Sequence, residues 1–332
     1  MKIDCFTHVM PKPYIREFQK AVGEDFYLGN LPEKIPEMTD IEPRLRLMDE
    51  LGIDMQVMTI ATPPIEEVVE DPAKAARLAE VANDAIAEMA AERSDRFIPV
   101  GTIAMNNMEA SVREAERCLT QLGMKGILIY SNARGRAIDG DEFMPFYELM
   151  AQHDRPIWLH PARTPMYADY VGEKTSLYAI WQIFGWPYET SMAMTRLVFS
   201  GIFDRLPELK IITHHAGAMI PYFDKRIEHV YPLFQHLGVL DKEFERLERP
   251  LIEYYRMFYN DTAVMGSVGA MQAAYAFFGA DHLIFGTDSP FDTQGGRVFC
   301  EETLFTIQAL PIPPAEKARI LGGNLQEMLN IS

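Results

Sequence analysis

Of the eight histidines in this 332-residue chain, four fall at or just before the C-terminal end of a short apolar, strand-like run. His8 closes "KIDCFTH" (2–8), His160 lies in "PIWLHP" (156–161), and the pair His214 and His215 closes "KIITHH" (210–215); Asp288 closes "HLIFGTD" (282–288). Imidazole nitrogens and a carboxylate brought to one place suit Zn²⁺ or another borderline divalent ion, with a coordination position left open for water or substrate. One His at a strand end is more often a hydrogen-bonded structural group than a ligand, but four on one rim reverse that reading. In a period-2 strand Asp4, Phe6 and His8 share a face, so Phe6 stands where a second ligand beside His8 is expected. By the same alternation His214 and His215 point to opposite faces, and only one enters the site. The remaining histidines, His153, His229, His236 and His282, fall on helix or turn patterns and read as surface groups.

The elements that must position these groups repeat along the whole chain. Besides the four runs above, β-branched or apolar stretches occur at "DMQVMTIA" (54–61), "FIPVGTIA" (97–104), "GILIYS" (126–131) and "MFYNDTA" (257–263), which makes eight. Several are apolar on both faces, as buried parallel strands are. Amphipathic helical patterns lie between them at 41–51 (closed by Gly52), 72–93, 109–122 (closed by Gly123), 141–153, 188–205, 218–230, 266–279 and 297–309. Strand starts are roughly 25–55 residues apart, long enough each time for a right-handed crossover helix. Strict alternation over eight units predicts one (β/α)8 TIM barrel spanning 1–332 as a single domain; a doubly wound sheet usually has nearer six strands. In a barrel the ends of strands 1, 5, 6 and 8 converge on the catalytic face. Long connections leave that face after strand 1 (9–40) and strand 5 (161–187), and a third excess lies around strand 7 (231–256). The second holds Tyr167, Tyr170, Tyr178, Trp181, Phe184 and Trp186, with Tyr188 just beyond it, suited to a flat substrate, a subunit contact or a small core of its own.

Bulk composition narrows the function. A net charge of −17 opposes binding to nucleic acid or to an anionic membrane surface, although a few arginines in a cleft can still receive a small anion. No apolar run approaches the ~20 residues of a membrane span, and no secretion signal is evident at the N-terminus. Three cysteines, Cys5, Cys118 and Cys300, form no CxxC pair, which argues against a disulfide framework and for a reduced, cytoplasmic setting.

Several stretches in register carry a resemblance: "IDCFTH" with "MP" after it, "RLMDELGID" (46–54), "IWLHP" (157–161), "PELKIITHHAGAMIPYFDKRIEH" (207–229), "HLIFGTDSPF" (282–291) and "ILGGNLQEML" (320–329). The chain resembles the amidohydrolase superfamily, in the branch of metal-dependent decarboxylases and hydratases that includes aminocarboxymuconate semialdehyde decarboxylase and γ-resorcylate decarboxylase. The resemblance implies that His160 and Asp288 bind metal, with His8 as the second member of a strand-1 pair. It implies that His215, followed by Ala216 and Gly217, contacts the metal-bound water or the substrate, leaving His214 facing outward. Arg226, eleven residues after His215, matches a carboxylate-binding Arg that in some relatives reaches into an adjacent subunit. Arg163 is a second candidate for the substrate anion, and Phe6, Trp186 and Phe291 are aromatic candidates for contact with a planar substrate.

Two departures qualify the resemblance. Strand 4 ends in "IYS" with Lys125 at its start, so the bridging carbamylated Lys of a binuclear site has no counterpart and one metal is expected, Zn²⁺ first and Mn²⁺ second. Strand 1 has Phe6-x-His8 where the family has His-x-His or Glu-x-His, leaving His8, His160, Asp288 and a water as the ligand set. The implied reaction is non-oxidative decarboxylation of a small aromatic or unsaturated carboxylic acid, with Asp288 or His215 moving the proton. The same ligands also suit a lactone or amide hydrolase or a hydratase, and the missing ligand leaves room for a metal-poor, non-catalytic relative. A homodimer or larger assembly is expected, with a small-molecule substrate as the other partner.

Overall fold

The computed structural model describes residues 1–22, 31–60 and 63–331. Eight short strands are present among the described residues: β1 (Ile3–Val9), β2 (Met55–Ile60), β3 (Phe97–Pro99), β4 (Gly101–Thr102), β5 (Ile127–Tyr130), β6 (Ile157–His160), β7 (Ile211–Thr213) and β8 (Tyr259–Asn260). Every ladder is parallel, in the orders β1-β2-β3 and β4-β5-β6-β7-β8. β3 and β4 are one barrel strand interrupted at Val100, whose N–H donates to Met58 O (3.1 Å) while Gly101 N donates to Gly126 O (3.0 Å). The eighth barrel position is filled by residues 283–289. There Ile284 N donates to Asn260 O (2.8 Å), Cys5 N to Phe285 O (2.7 Å), Asp288 N to Phe6 O (3.0 Å) and His8 N to Ser289 O (2.8 Å). These bonds join the last segment to β8 on one side and to β1 on the other, closing the (β/α)8 barrel.

The helices follow the expected punctuation. Asp40 caps Ile41–Leu51, which ends at left-handed Gly52; Asp71 caps Pro72–Ala91 through the N–H groups of Ala73 and Lys74; and Arg297–Ala309 has the expected bounds. Two expectations fail. The helix placed at 188–205 breaks at left-handed Gly201 into Gly185–Phe199 and Ile202–Arg205. The helix placed at 218–230 runs instead over Asp224–His236, because His215, Ala216, Gly217 and Ala218 all have positive φ and turn the chain before a helix can start. Nearly all the buried apolar residues form one cluster that extends from Ile3 to Leu329.

Two close approaches set the barrel interior. Gly126 leaves room for Trp158, which is fully buried and donates Nε1–H to Cys5 O (2.7 Å); a Cβ there would lie 2.3 Å from the indole ring. Gly286 lets the closing segment pass β1, since a Cβ would meet Asp261 Cβ and Cys5 Sγ at 2.9 Å.

Beyond β2, Glu66 is fully buried, and neither carboxylate oxygen has a hydrogen-bond partner among the described residues. Burial pushes its carboxyl up to about 7. The folded chain therefore keeps this proton at pH values where the unfolded chain has already shed it. The resulting stabilisation is complete below the ordinary glutamate range, declines as pH rises from there and is gone above about 7. Glu66→Gln is expected to flatten that slope, gaining up to about 3 kcal/mol on the parent protein between pH 5 and 8. Urea unfolding of both proteins at the two pH values checks it, and a pH-independent difference would show that the carboxylate is solvated.

Candidate functional site

At the C-terminal rim the ends of β1, β6 and β7 and the closing segment bring His8, His160, His214, His215 and Asp288 together. His8 Nε2 is 3.1 Å from Asp288 Oδ1, His214 Nε2 is 3.3 Å from the same oxygen, and His215 Nε2 is 3.8 Å from Oδ2. His8, His160 and His214 each present a ring nitrogen within 4.8 Å of the others, and His214, His215 and Asp288 form a second such group. All but His215 are buried.

The far side of three of the rings is anchored, whereas His215 Nδ1 has no hydrogen-bond partner among the described residues. His8 Nδ1 meets Thr59 Oγ1 at 3.0 Å and Ile60 O at 3.3 Å, and His160 Nδ1 meets Pro161 O at 2.7 Å. His214 Nδ1 pairs closely with the carboxylate of buried Asp261, whose Oδ1 accepts from Ala216 N (2.9 Å) and Ala263 N (3.1 Å). Tying Nδ1 leaves Nε2 to face the centre, the arrangement by which proteins aim imidazoles at a metal. His8 Nε2, His214 Nε2 and Asp288 Oδ1 are buried without a hydrogen-bond partner among the described residues. Buried polar atoms left in this state mark a place for an ion, and three imidazoles with one carboxylate fit a divalent metal. Buried Arg44 steadies the end of β1 by donating to His8 O (3.0 and 3.2 Å) and to Thr7 Oγ1 (3.0 Å).

Burial pulls the pKa of His8 down, and it pulls that of His160 well down, helped by the neighbouring imidazoles. His215 is lowered by burial and by His214. Burial also opposes charge on His214, but Asp261 and Asp288 outweigh it and push that ring up to about 10. Asp288 would be raised by burial; instead the His214 charge and the close approach of the His214, His215 and His8 rings to its carboxylate hold it well below the usual carboxylate range.

Two orientations differ from the sequence reading. His214 does not face outward: it is fully buried, its ring centroid is 3.9 Å from that of His215, and both rings turn to Asp288. Strand alternation stops at Thr213, and the left-handed backbone at His215 brings the two side chains to the same carboxylate. Asp4 does not join the histidines. An extra β1 residue between Asp4 and Thr7, a β-bulge, breaks the alternation, and Asp4 accepts instead from Thr287 Oγ1 (2.6 Å) and Thr287 N (3.0 Å). Phe6 does enter the interior beside His8, fully buried and stacked on His214 at 4.0 Å.

The expected substrate contacts are partly gathered. Trp186 lies edge-on to His160 (5.4 Å), held by Nε1–H donation to Arg163 O (3.1 Å), and Phe291 is 5.2 Å from His8. Arg163 pairs with Glu189 (3.0 Å) and covers the Tyr167 ring. Arg226 is exposed on Asp224–His236, beside a 460 Å³ groove that Tyr188, Met192, Ile220, Phe223 and Phe234 also line, and no contact joins it to the rim among the described residues. In the strand-5 connection Tyr170, Tyr178 and Phe184 are exposed, so that loop builds no core of its own from them. A larger cavity of 1010 Å³ lies at the opposite end of the strands, against Met1, Gly52, Asp54, Pro99 and Lys125, and holds none of the histidines.

The sequence of an amidohydrolase family model matches residues 3–331. The chain belongs to this amidohydrolase family. It is 30% identical to a γ-resorcylate decarboxylase of Polaromonas sp. over 91% of each chain, and 28% identical to a 2-amino-3-carboxymuconate-6-semialdehyde decarboxylase of Dictyostelium discoideum over 100% of this chain and 92% of that one. Among solved structures, a 5-carboxyvanillate decarboxylase from Sphingomonas paucimobilis superposes with a TM-score of 0.83 at 26% identity, covering 100% of this chain and 99% of its own. A dihydroxybenzoic acid decarboxylase from Polaromonas, solved with manganese and the inhibitor 2-nitroresorcinol, superposes with a TM-score of 0.80 at 27% identity over 99% and 97% of the two chains.

Proposed function

We propose that this amidohydrolase is a metal-dependent non-oxidative decarboxylase of a small aromatic or unsaturated carboxylic acid. The observation that carries the reading is the convergence of the buried, outwardly anchored imidazoles of His8, His160 and His214, with Asp288 against two of them, in a chain whose relatives are named decarboxylases. His8, His160 and Asp288 are the metal ligands of this reading. A divalent ion held there supplies a Lewis acid for the substrate carboxylate and a neighbouring oxygen. The imidazole-rich donors favour Zn²⁺, while the relative above holds manganese, so reconstitution with each ion distinguishes them.

Decarboxylation replaces the C–C bond to the carboxylate with a C–H bond: one proton is taken up, the bonding electrons stay on carbon and CO₂ leaves. Asp288 and His215 are the groups that hold this proton, with Oδ2 and Nε2 3.8 Å apart. His215 is the less buried of the two and returns the proton from solvent. Trp186 and Phe291 flank the imidazoles with flat apolar faces for the substrate ring, and Phe6 closes the inner side. Arg163 and Arg226 are the candidate partners of a substrate anion, Arg226 from a neighbouring subunit of a homodimer.

Metal-reconstituted protein should release CO₂ from members of a panel of hydroxybenzoates and muconate-type acids. Silence across the panel with turnover of lactones would replace the reading with a hydrolase, and silence on both with no bound metal would make the chain a non-catalytic relative. Trp186→Ala is expected to raise KM about tenfold through loss of the aromatic contact, with metal content unchanged. An unaltered KM would place the substrate elsewhere.

A further inference from the structure

Phe6 occupies the interior position beside His8 but offers no lone pair, so β1 contributes one donor where its two inward residues had room for two. His214 lies directly against Phe6, with its ring at 4.0 Å and only 19° from parallel. We infer that His214 supplies the metal ligand that β1 lacks, completing a set of His8 Nε2, His160 Nε2, His214 Nε2 and Asp288 Oδ1 that leaves His215 free to move protons. The inference rests on the reading of this rim as a metal site and adds a residue to it.

Four independent observations support it. The nitrogens of His8, His160 and His214 converge within 4.8 Å, whereas His215 groups only with His214 and Asp288. His214 Nε2 is buried without a hydrogen-bond partner among the described residues and stands 3.3 Å from Asp288 Oδ1, the oxygen that His8 also approaches at 3.1 Å. Its Nδ1 is engaged by Asp261, a fully buried carboxylate fixed by two backbone N–H groups, so the ring is oriented and its other nitrogen made more basic, as outer carboxylates do for metal-bound histidines. Finally, the Phe6 ring bars one face of the imidazole from rotating away. Asp261 is thereby a positioning residue for the donor, and Phe6 a packing residue, with the ligand moved from β1 to the end of β7.

Titration of metal-free protein with Zn²⁺ and with Mn²⁺, followed by calorimetry and by metal analysis after dialysis, tests the assignment without any substrate. His214→Ala and the closer-fitting His214→Gln should each weaken binding at least about tenfold, and Asp261→Asn should weaken it by a smaller factor. His215→Ala should stay within about twofold of the parent, because that ring is outside the donor set. Adding Phe6→His to His214→Ala should restore most of the lost affinity by returning the donor to β1. Circular dichroism identifies any variant that fails to fold, for which the His214→Gln result stands in. Parent-like metal affinity in both His214 variants, with affinity lost in His8→Ala, would overturn the inference and leave His214 a structural histidine. Absence of divalent-ion binding by the parent protein itself would instead overturn the metal-site reading beneath it.

Discussion

Asp288→Asn is expected to lower kcat/KM roughly 10²–10⁴-fold and to reduce the metal retained by the purified protein. Among the described residues Asp288 is the one carboxylate approached by three of the clustered imidazoles, His8 and His214 on Oδ1 and His215 on Oδ2. Burial alone would make it a neutral acid; its neighbours hold it as an anion well below the usual carboxylate range. An amide has the same shape but no negative charge, and one end of it would aim N–H bonds at a nitrogen or a cation. Both parts of the role proposed for it depend on the charge: donating electrons to a divalent ion and accepting a proton on the oxygen nearer His215. The buried His214 would then face Asp261 as its only close anionic partner among those of the site. The check is steady-state kinetics beside metal analysis of the same preparation. Retention of kcat/KM within about tenfold would remove Asp288 from the proton path.

The parts of this site legible in the sequence were those that obey strand periodicity. His8, His160 and Asp288 sit where a barrel places its chemistry, at the ends of strand-like runs, and the closing segment bonds to β1 as eightfold alternation requires. His214 was misplaced because alternation was carried one residue beyond the end of β7. The chain turns left-handed at His215, Ala216 and Ala218 as well as at Gly217, at a cost of about 1–2 kcal/mol for each non-glycine residue. Such strain persists only where surrounding contacts enforce it, and here Asp261 binds Ala216 N within the turn. Asp261 itself was passed over although "MFYNDTA" places it at the C-terminal end of the seventh strand, on the same rim as the others. Asking the end-of-strand question of all eight strands would have found it. Asp4 was misplaced for the opposite reason: a bulge inside β1 shifts register without any Gly or Pro to announce it. Arg163 shows a further limit, since its pairing with Glu189, a residue 26 positions away on a helix, depends on tertiary packing that no local pattern encodes.

The strained turn also sets His215 apart from the proposed metal ligands, and His215→Gln is the variant that isolates the proton-transfer role proposed for it. The expected result is a fall in kcat of roughly 10²–10⁴-fold, with metal stoichiometry and affinity unchanged. His215 has the position for proton traffic: Nε2 faces Asp288 Oδ2, and its side chain is 13% exposed where His8 and His214 are fully buried. Burial lowers its pKa, which favours the neutral ring that can take a proton from solvent and pass it toward the carbon. Glutamine keeps hydrogen-bonding capacity and approximate size but cannot carry a proton between two atoms. A readout specific to that function is exchange of deuterium from D₂O into the product at the carbon that lost CO₂, which requires the protonation step to run backwards. His215→Gln should slow this exchange in parallel with kcat. If kcat falls while exchange proceeds at the parent rate, the ring positions the departing carboxylate and Asp288 alone handles the proton. If metal is lost together with activity, His215 belongs among the ligands, and the division of labour between the two adjacent histidines is reversed.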